Sequence, residues 1–310
     1  MQDVYGMHGQ TGKTFVSFYL DDVGPYVSEF SREEKPMHPV PVSALEKFAE
    51  FVKEHGLAGA VSVIPGLNCL LTRPKNDVER GYAEFISQLS RYNLDAHMEI
   101  MTHGYLFNFE EMKPREDISE MEWLDDYSIP LEEYLQYFRN TIEIGRELGV
   151  AYTGLTTPGT HADMNPNVWK ALAKLADEGE FPNPAVPVFA IIDESSSILK
   201  PILKARSGRG ASYDIPSALQ DYLASWRNSP SWIDVDRYLT PQGKGRIASL
   251  IQNGSPVVIF HMHWQGVNPA TGLGWPAFQE VIRRFNDQFS NRIIWKRPSE
   301  IALDAYNLQI

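Results

Sequence analysis

Short apolar runs rich in β-branched and aromatic residues alternate along this chain with amphipathic segments of helical period. FVSFYL (15–20), AGAVSVIPG (58–66), LDAHMEIMTH (94–103), VAYTGLTTPG (150–159), VPVFAIID (186–193), SPVVIFHMH (255–263) and RIIWK (292–296) read as strands. Between them, 42–56, 78–92, 131–149, 165–179, 276–288 and a segment from Ser299 onward read as helices. The clearest is 131–149, where Leu131, Tyr134, Leu135, Phe138 and Ile142 fall on one face. A strand followed by a helix and then another strand places the two strands parallel in one sheet. About seven or eight such units favour closure into a distorted (β/α)7-8 barrel, with an open doubly wound sheet as the alternative. No GxGxxG follows the first strand, which lowers the nucleotide-binding option.

The chain has 310 residues and shows no internal repeat, so it reads as one barrel domain over 1–310. The stretch 195–240 lacks a clear period and is expected to form irregular loops over the barrel mouth. A net charge of −12 without a Lys/Arg-rich block argues against nucleic acid or an anionic membrane surface as partner. No run approaches the roughly 20 apolar residues of a membrane-spanning helix. The first 13 residues contain no apolar leader segment, and the single Cys69 forms no internal disulfide. Both cytoplasmic and exported locations stay open.

In a parallel barrel, chemistry gathers where the strands end. The polar residues found there are Asp21-Asp22, Thr102-His103, Thr156 to His161, Asp193-Glu194, and His261 to Gln265. A lone Asp at a strand end is commonly a turn former, and a lone His a bonded core residue. His261 and His263 differ, because residues two apart on a continuing strand share a face. Two adjacent carboxylates stay ionised when one meets a cation and the other is left free, which suggests a divalent metal bound by one Asp and by imidazoles of neighbouring strands. Trp226, Trp232 and Trp264 offer flat surfaces for sugar rings, or else fill the core.

The ordered set YLDDVGP, MTHG, TTPG and FHMHWQG resembles the polysaccharide deacetylase superfamily, also called NodB-like or carbohydrate esterase family 4. The closing stretch GWPAFQEVIRRFNDQFSNRIIWKRPSEIA resembles a divergent, poorly characterised bacterial branch of it. The resemblance implies a metal-dependent hydrolase that removes an acyl group from a carbohydrate, with zinc as the expected cofactor. It implies Asp21 as base, Asp22 and His103 as metal ligands, and His263 or His261 as proton donor. The family places a second His four residues after the first; here that position is Phe107, and Asn108 is the expected replacement, with Glu99 and His161 as further donors. Where the family has an Arg before its Pro-Gly, this chain has Thr156; Arg206, Arg209 and Lys296 are candidates to replace it. Trp264, Gln265, His161, Arg206 and Trp232 are the expected substrate contacts. Two alternatives remain: a carbohydrate-binding barrel that has lost its metal triad, and a glycosidase pairing Asp21 with Asp193 or Glu194.

Overall fold

The computed structural model describes residues 12–28, 37–66, 69–161 and 163–308. Residues 1–11, where the sequence shows no apolar leader, lie outside the described residues. The central sheet is nine-stranded. Its strands are β1 (Thr14–Val23), β2 (Gly59–Val63), β3 (Leu94–Met98), β4 (Gly154–Thr156), β5 (Ala185–Phe189), β6 (Ile202–Ser207), β7 (Gly210–Asp214), β8 (Val257–His263) and β9 (Ile293–Trp295). Their order is β6-β7-β5-β4-β3-β2-β1-β8, with β9 also paired to β1. Every pairing is parallel except β6 with β7. The larger helices are α1 (Val42–Glu54), α2 (Asp77–Ile86), α3 (Leu131–Glu147), α4 (Pro166–Asp177), α5 (Trp275–Phe289) and α6 (Pro298–Asn307). Among the described residues no helix is long and apolar enough to cross a membrane.

The alternation of side chains along each strand builds two cores. On β1, Val16, Phe18, Leu20 and Val23 join the large core under the helices, while Phe15 and Tyr19 join a smaller one. On β8, Val258, Phe260 and Met262 face the first core, and Val257 and Ile259 the second. The smaller core is the inside of the curled sheet, shared by Ala60, Phe189, Ala211 and Tyr213 and closed below by Ile301, Ala302, Ala305 and Tyr306 of α6. The side chains of Asp95, His97 and Glu99 stack along that inner face. Asp95 accepts from the amide and hydroxyl of Ser299 at the start of α6, His97 lies 5.6 Å from the Tyr19 ring, and Glu99 reaches the rim.

The result is a distorted (β/α) barrel whose last gap is not closed by a strand ladder. Residues 215–219 bridge it: Ile215 N–H donates to Val188 O at 2.9 Å, Ser217 N–H to Ile191 O at 3.0 Å, and Ala218 N–H to Ile259 O at 2.6 Å. Two expectations need correction. The stretch 195–240 is not irregular throughout, because it supplies β6 and β7 at the sheet edge; its short runs, interrupted at Gly208, hide the strand period. The strand expected over 94–103 ends at Met98, since Ile100 and His103 take left-handed backbone angles, φ 50° and 57°, that no strand accommodates.

Phe18 lies within 6.0–6.5 Å, ring centre to ring centre, of Phe48, Phe260, Phe278 and Trp295. Replacing it with Ala leaves a cavity where two helices and three strands meet. Phe18→Ala is expected to lower the unfolding free energy by about 3–5 kcal/mol, read from the urea midpoint at unchanged denaturant slope.

Candidate active site

In a regular strand Asp21 and Asp22 would face opposite sides. Here the pairing of β1 with β2 slips between Leu20 and Val23, and Asp22 takes φ 62°. Such a bulge re-aims side chains. Both acids consequently line one cavity of about 60 Å³ at the strand ends, with Glu99, His103, His261 and His263. Thr157, Gly159, Thr160 and Phe189 form the rest of its wall.

The Asp22 amide is held in that turn by two acceptors, Ser62 Oγ at 2.9 Å and Glu99 Oε2 at 3.1 Å. The Ser62 hydroxyl donates to the same Glu99 oxygen. Glu99 Oε1 is left to face His103 Nδ1 at 2.5 Å, and Asp22 Oδ1 lies 3.4 Å from the same nitrogen. Gln265 Nε2 donates to the other Asp22 oxygen at 2.9 Å. Each carboxylate thus has one oxygen pinned and one turned inward.

Asp22, Glu99 and His103 bring their ligand atoms within 4.8 Å of one another. Asp22 Oδ1 and His103 Nδ1 are buried with no hydrogen bond of proper direction. Buried polar atoms normally find partners. Atoms that converge on one point without bonding each other fit a divalent cation, and these three residues are the ones that would hold it. The charge balance agrees: Asp21, Asp22, Glu99 and Asp221 are carboxylates, against the imidazoles of His103 and His263.

The environment separates these groups. Burial, with the charge of Glu99, raises Asp21 well above the usual carboxylate range. Burial would raise Asp22 as well, but His103, His263 and the Gln265 bond together hold it below that range. Burial raises Glu99. His103 is pushed up to about 10 by Asp22 and Glu99, against its burial. His263 is pushed up to about 9, against its burial, by the carboxylate of Asp221. That carboxylate accepts from both the Nδ1 and the amide of His263, at 2.8 and 3.1 Å. His261, whose Nδ1 lies 2.9 Å from Ser217 Oγ, is lowered to about 3 by burial and by its neighbour His263. The two histidines therefore differ in charge.

Of the other expected residues, Asn108 stands outside the cluster, on a small hairpin of Tyr105–Asn108 with Lys113–Ser119. Its Oδ1 accepts from the amides of Glu110 and Glu111, so it is corrected as a ligand. Phe107 packs against Phe109 at 5.3 Å. The partner of His103 four residues away lies upstream, at Glu99, rather than downstream. His161 is buried between Asp125 Oδ1 and the Pro158 carbonyl. Trp264 is fully buried, edge-on to Phe48, and offers no sugar platform. Arg206 lies at the strand-start end of the sheet, over Tyr306, far from the mouth. Trp232, with Trp226, flanks the Arg227 guanidinium and does not line the cavity. Lys296 pairs with Asp304, and Arg209 follows β6 at that same far end. No Arg or Lys lines the cavity among the described residues. Asp193 forms a turn with Ser195 and Ser196, and Glu194 accepts from Gln220, so neither joins Asp21. Sequence reading missed Ser62, Ser217 and Asp221. Asp221 has no local signal, since it lies in the aperiodic stretch.

His263 yields a direct test. Asp221 and Asp22 face it with negative charge, Asp21 stands opposite it with its pKa raised, and His261 faces it neutral. Its folded pKa exceeds the unfolded value of about 6.5, so the stability it contributes is present below pH ~6.5 and lost as pH rises toward 9. His103 acts in the same direction at higher pH. In chelated protein, Asp221→Asn is expected to bring the His263 midpoint, followed by imidazole NMR, down from near 9 and to flatten the stability loss over that range. An unchanged midpoint would sink the assignment.

No family model matches this sequence, and no curated protein sequence matches it. Solved structures do. A Parabacteroides distasonis protein assigned by name alone to the glycoside hydrolases/deacetylases superposes with TM-score 0.57 at 11% identity, over 97% of this chain and 72% of that one. Agd3, a carbohydrate deacetylase, gives 0.53 at 9% identity, over 96% of this chain and 54% of that one. The PuuE allantoinase gives 0.50 at 12% identity, over 97% and 93%. At these identities the likeness is one of fold. The chain thus shares the distorted (β/α) barrel fold of these proteins.

Proposed function

We propose that this protein is a metal-dependent hydrolase that removes an acyl group, an acetyl in the simplest case, from nitrogen or oxygen of a carbohydrate. The observation that carries the reading is the convergence of Asp22, Glu99 and His103 beside a further carboxylate, Asp21, and an Asp-backed imidazole, His263. The deacetylase names of the Parabacteroides protein and Agd3 agree with it.

Asp22, Glu99 and His103 would hold the cation, zinc being the first candidate. A cation held there would supply Lewis acidity toward an acyl carbonyl and a water, and its charge would favour the ionised form of Asp21. Asp21 takes the proton as the water oxygen attacks the carbonyl carbon. His263, kept charged by Asp221, gives its proton to the departing amine or alkoxide as the C–N or C–O bond breaks. His261 stays neutral and stands edge-on to His263, 5.5 Å between ring centres, as a wall rather than a donor.

The binding-only alternative rests on Phe107 and Thr156; Glu99 would supply the third ligand that position 107 lacks, while no Arg among the described residues takes the place lost at Thr156. The glycosidase alternative has the name of the Parabacteroides protein in its favour, but its second carboxylate, Asp193 or Glu194, is engaged in turns away from Asp21.

Metal content decides first. Protein purified without chelator is expected to hold a stoichiometric divalent ion, lost in Asp22→Ala, Glu99→Ala and His103→Ala and kept in Asn108→Ala. Loaded protein should release acetate from acetylated chitooligosaccharide, xylan or peptidoglycan fragments. Asp21→Asn and His263→Gln should each cost about 10²–10⁴-fold in rate. A metal-free protein with no acyl release overturns the proposal. New reducing ends without acetate would favour the glycosidase.

A further inference from the structure

We infer that Glu120, acting with Tyr137, is a positioning residue that fixes the loop carrying Glu99 and His103; as a statement about ligands it rests on the metal reading above. The loop 99–104 leaves β3 and contains Ile100 at φ 50° and His103 at φ 57°. A β-branched residue in that region is a rare outlier and carries local strain. The surrounding structure must hold the loop.

Glu120 does so from below. It is fully buried. Its Oε1 accepts from the amides of Met101 at 3.0 Å and Thr102 at 3.2 Å, and its Oε2 lies 3.3 Å from the Thr102 amide. Its own amide donates to Gly104 O at 2.8 Å, so both sides of the turn are tied to one residue. The Tyr137 hydroxyl donates to Glu120 Oε1 at 3.1 Å and accepts from the Phe107 amide at 2.9 Å, linking the clamp to α3. From the other side, the Gly66 amide donates to Met101 O at 2.7 Å, and a Cβ at Gly66 would stand 2.8 Å from that oxygen. Among the described residues no Arg or Lys forms an ion pair with the Glu120 side chain, so its burial is costly unless the backbone amides use it. Ser119 and Glu122 form a capping box that fixes the short helix Glu120–Asp125 on which it sits.

The experiment compares Glu120→Gln, Tyr137→Phe and Asp95→Asn. Asp95 is an equally buried carboxylate, but it holds α6 at the opposite end of the barrel. Amide hydrogen exchange in chelated protein is the readout that does not depend on a metal. Glu120→Gln is expected to raise exchange at residues 101–104 at least tenfold more than in the rest of the sheet, and Asp95→Asn is not. With Co(II) and Zn(II) added, Glu120→Gln should weaken binding about 10–100-fold and alter the Co(II) visible spectrum. Tyr137→Phe should act in the same direction and less strongly, and Asp95→Asn should lower stability with affinity unchanged. Should Glu120→Gln fail to fold, Glu120→Asp, which keeps the charge on a shorter arm, takes its place with an intermediate effect. Exchange at 101–104 no different from that in Asp95→Asn overturns the clamp. Metal affinity within twofold of wild type, with the exchange effect present, overturns the positioning role. A wild-type protein that binds neither ion overturns both the metal reading and the positioning role, and leaves the clamp to be judged on exchange alone.

Discussion

The backbone amide of Asp22 is the small group on which the site depends. In an unbroken β1 that amide would pair in the sheet and its side chain would turn to the helices. Instead it donates to Ser62 and Glu99, in a turn at φ 62°. The same Glu99 carboxylate presents its other oxygen to His103. One side chain therefore both holds the bulge that aims Asp22 and stands beside it as a possible ligand. This ties geometry to charge: an imidazole at 99 has a single acceptor nitrogen to offer and would not serve two donors on one side and a cation on the other.

The barrel makes this arrangement possible because its inner face is polar along one strand. Asp95 and His97 on β3, and Glu99 just past its end, follow one another along the inner face, each with a different task. Asp95 anchors α6 across the strand-start end. His97 is lowered to about 3 by burial and stays neutral against Tyr19 and Thr156. Glu99 lies at the mouth. Tyr19 and Phe189 stack at 4.7 Å beneath the cavity and separate its charges from the lower layers. Burial first, and then the charges of Glu99 and Asp22, raise Asp21, with His263 and His103 opposing them.

Much of the architecture was legible in the sequence because periodicity reports which face is buried, and strands of type VVIFHMH carry it plainly. Most helices came within a few residues of their observed ends for the same reason. The site was legible only in part. Asp21, Asp22, His103, His261 and His263 meet because strand ends meet in a parallel barrel. The third member of the cluster was expected first downstream, at Asn108, by analogy with a forward spacing of four, with Glu99 and His161 only as further donors. The chain turns at Ile100, so the residue that comes near His103 lies four positions before it. A positive φ at isoleucine leaves no trace in composition. Asp221 was equally hidden, since 215–223 is placed by hydrogen bonds to β5 and β8 rather than by any period of its own. Arg206 was misplaced for a topological reason: antiparallel β6 runs back to the far end of the sheet.

The division of labour between the two histidines follows from their partners rather than from their positions. They stand two apart on one face of β8, with ring centres 5.5 Å apart, and both are buried or nearly so. Ser217, a neutral hydroxyl, gives His261 nothing to offset burial, so that ring remains uncharged. Asp221 gives His263 a full charge at 2.8 Å, and the ring keeps its proton. Two imidazolium ions at this distance would repel, so charging one helps to keep the other neutral. Asp21 pairs in register with His263 across the β1–β8 ladder, which sets the acid that is raised directly opposite the imidazole that is charged. Under the proposed reading, a cation that ionises Asp21 would leave a proton acceptor and a proton donor on two sides of the same cavity.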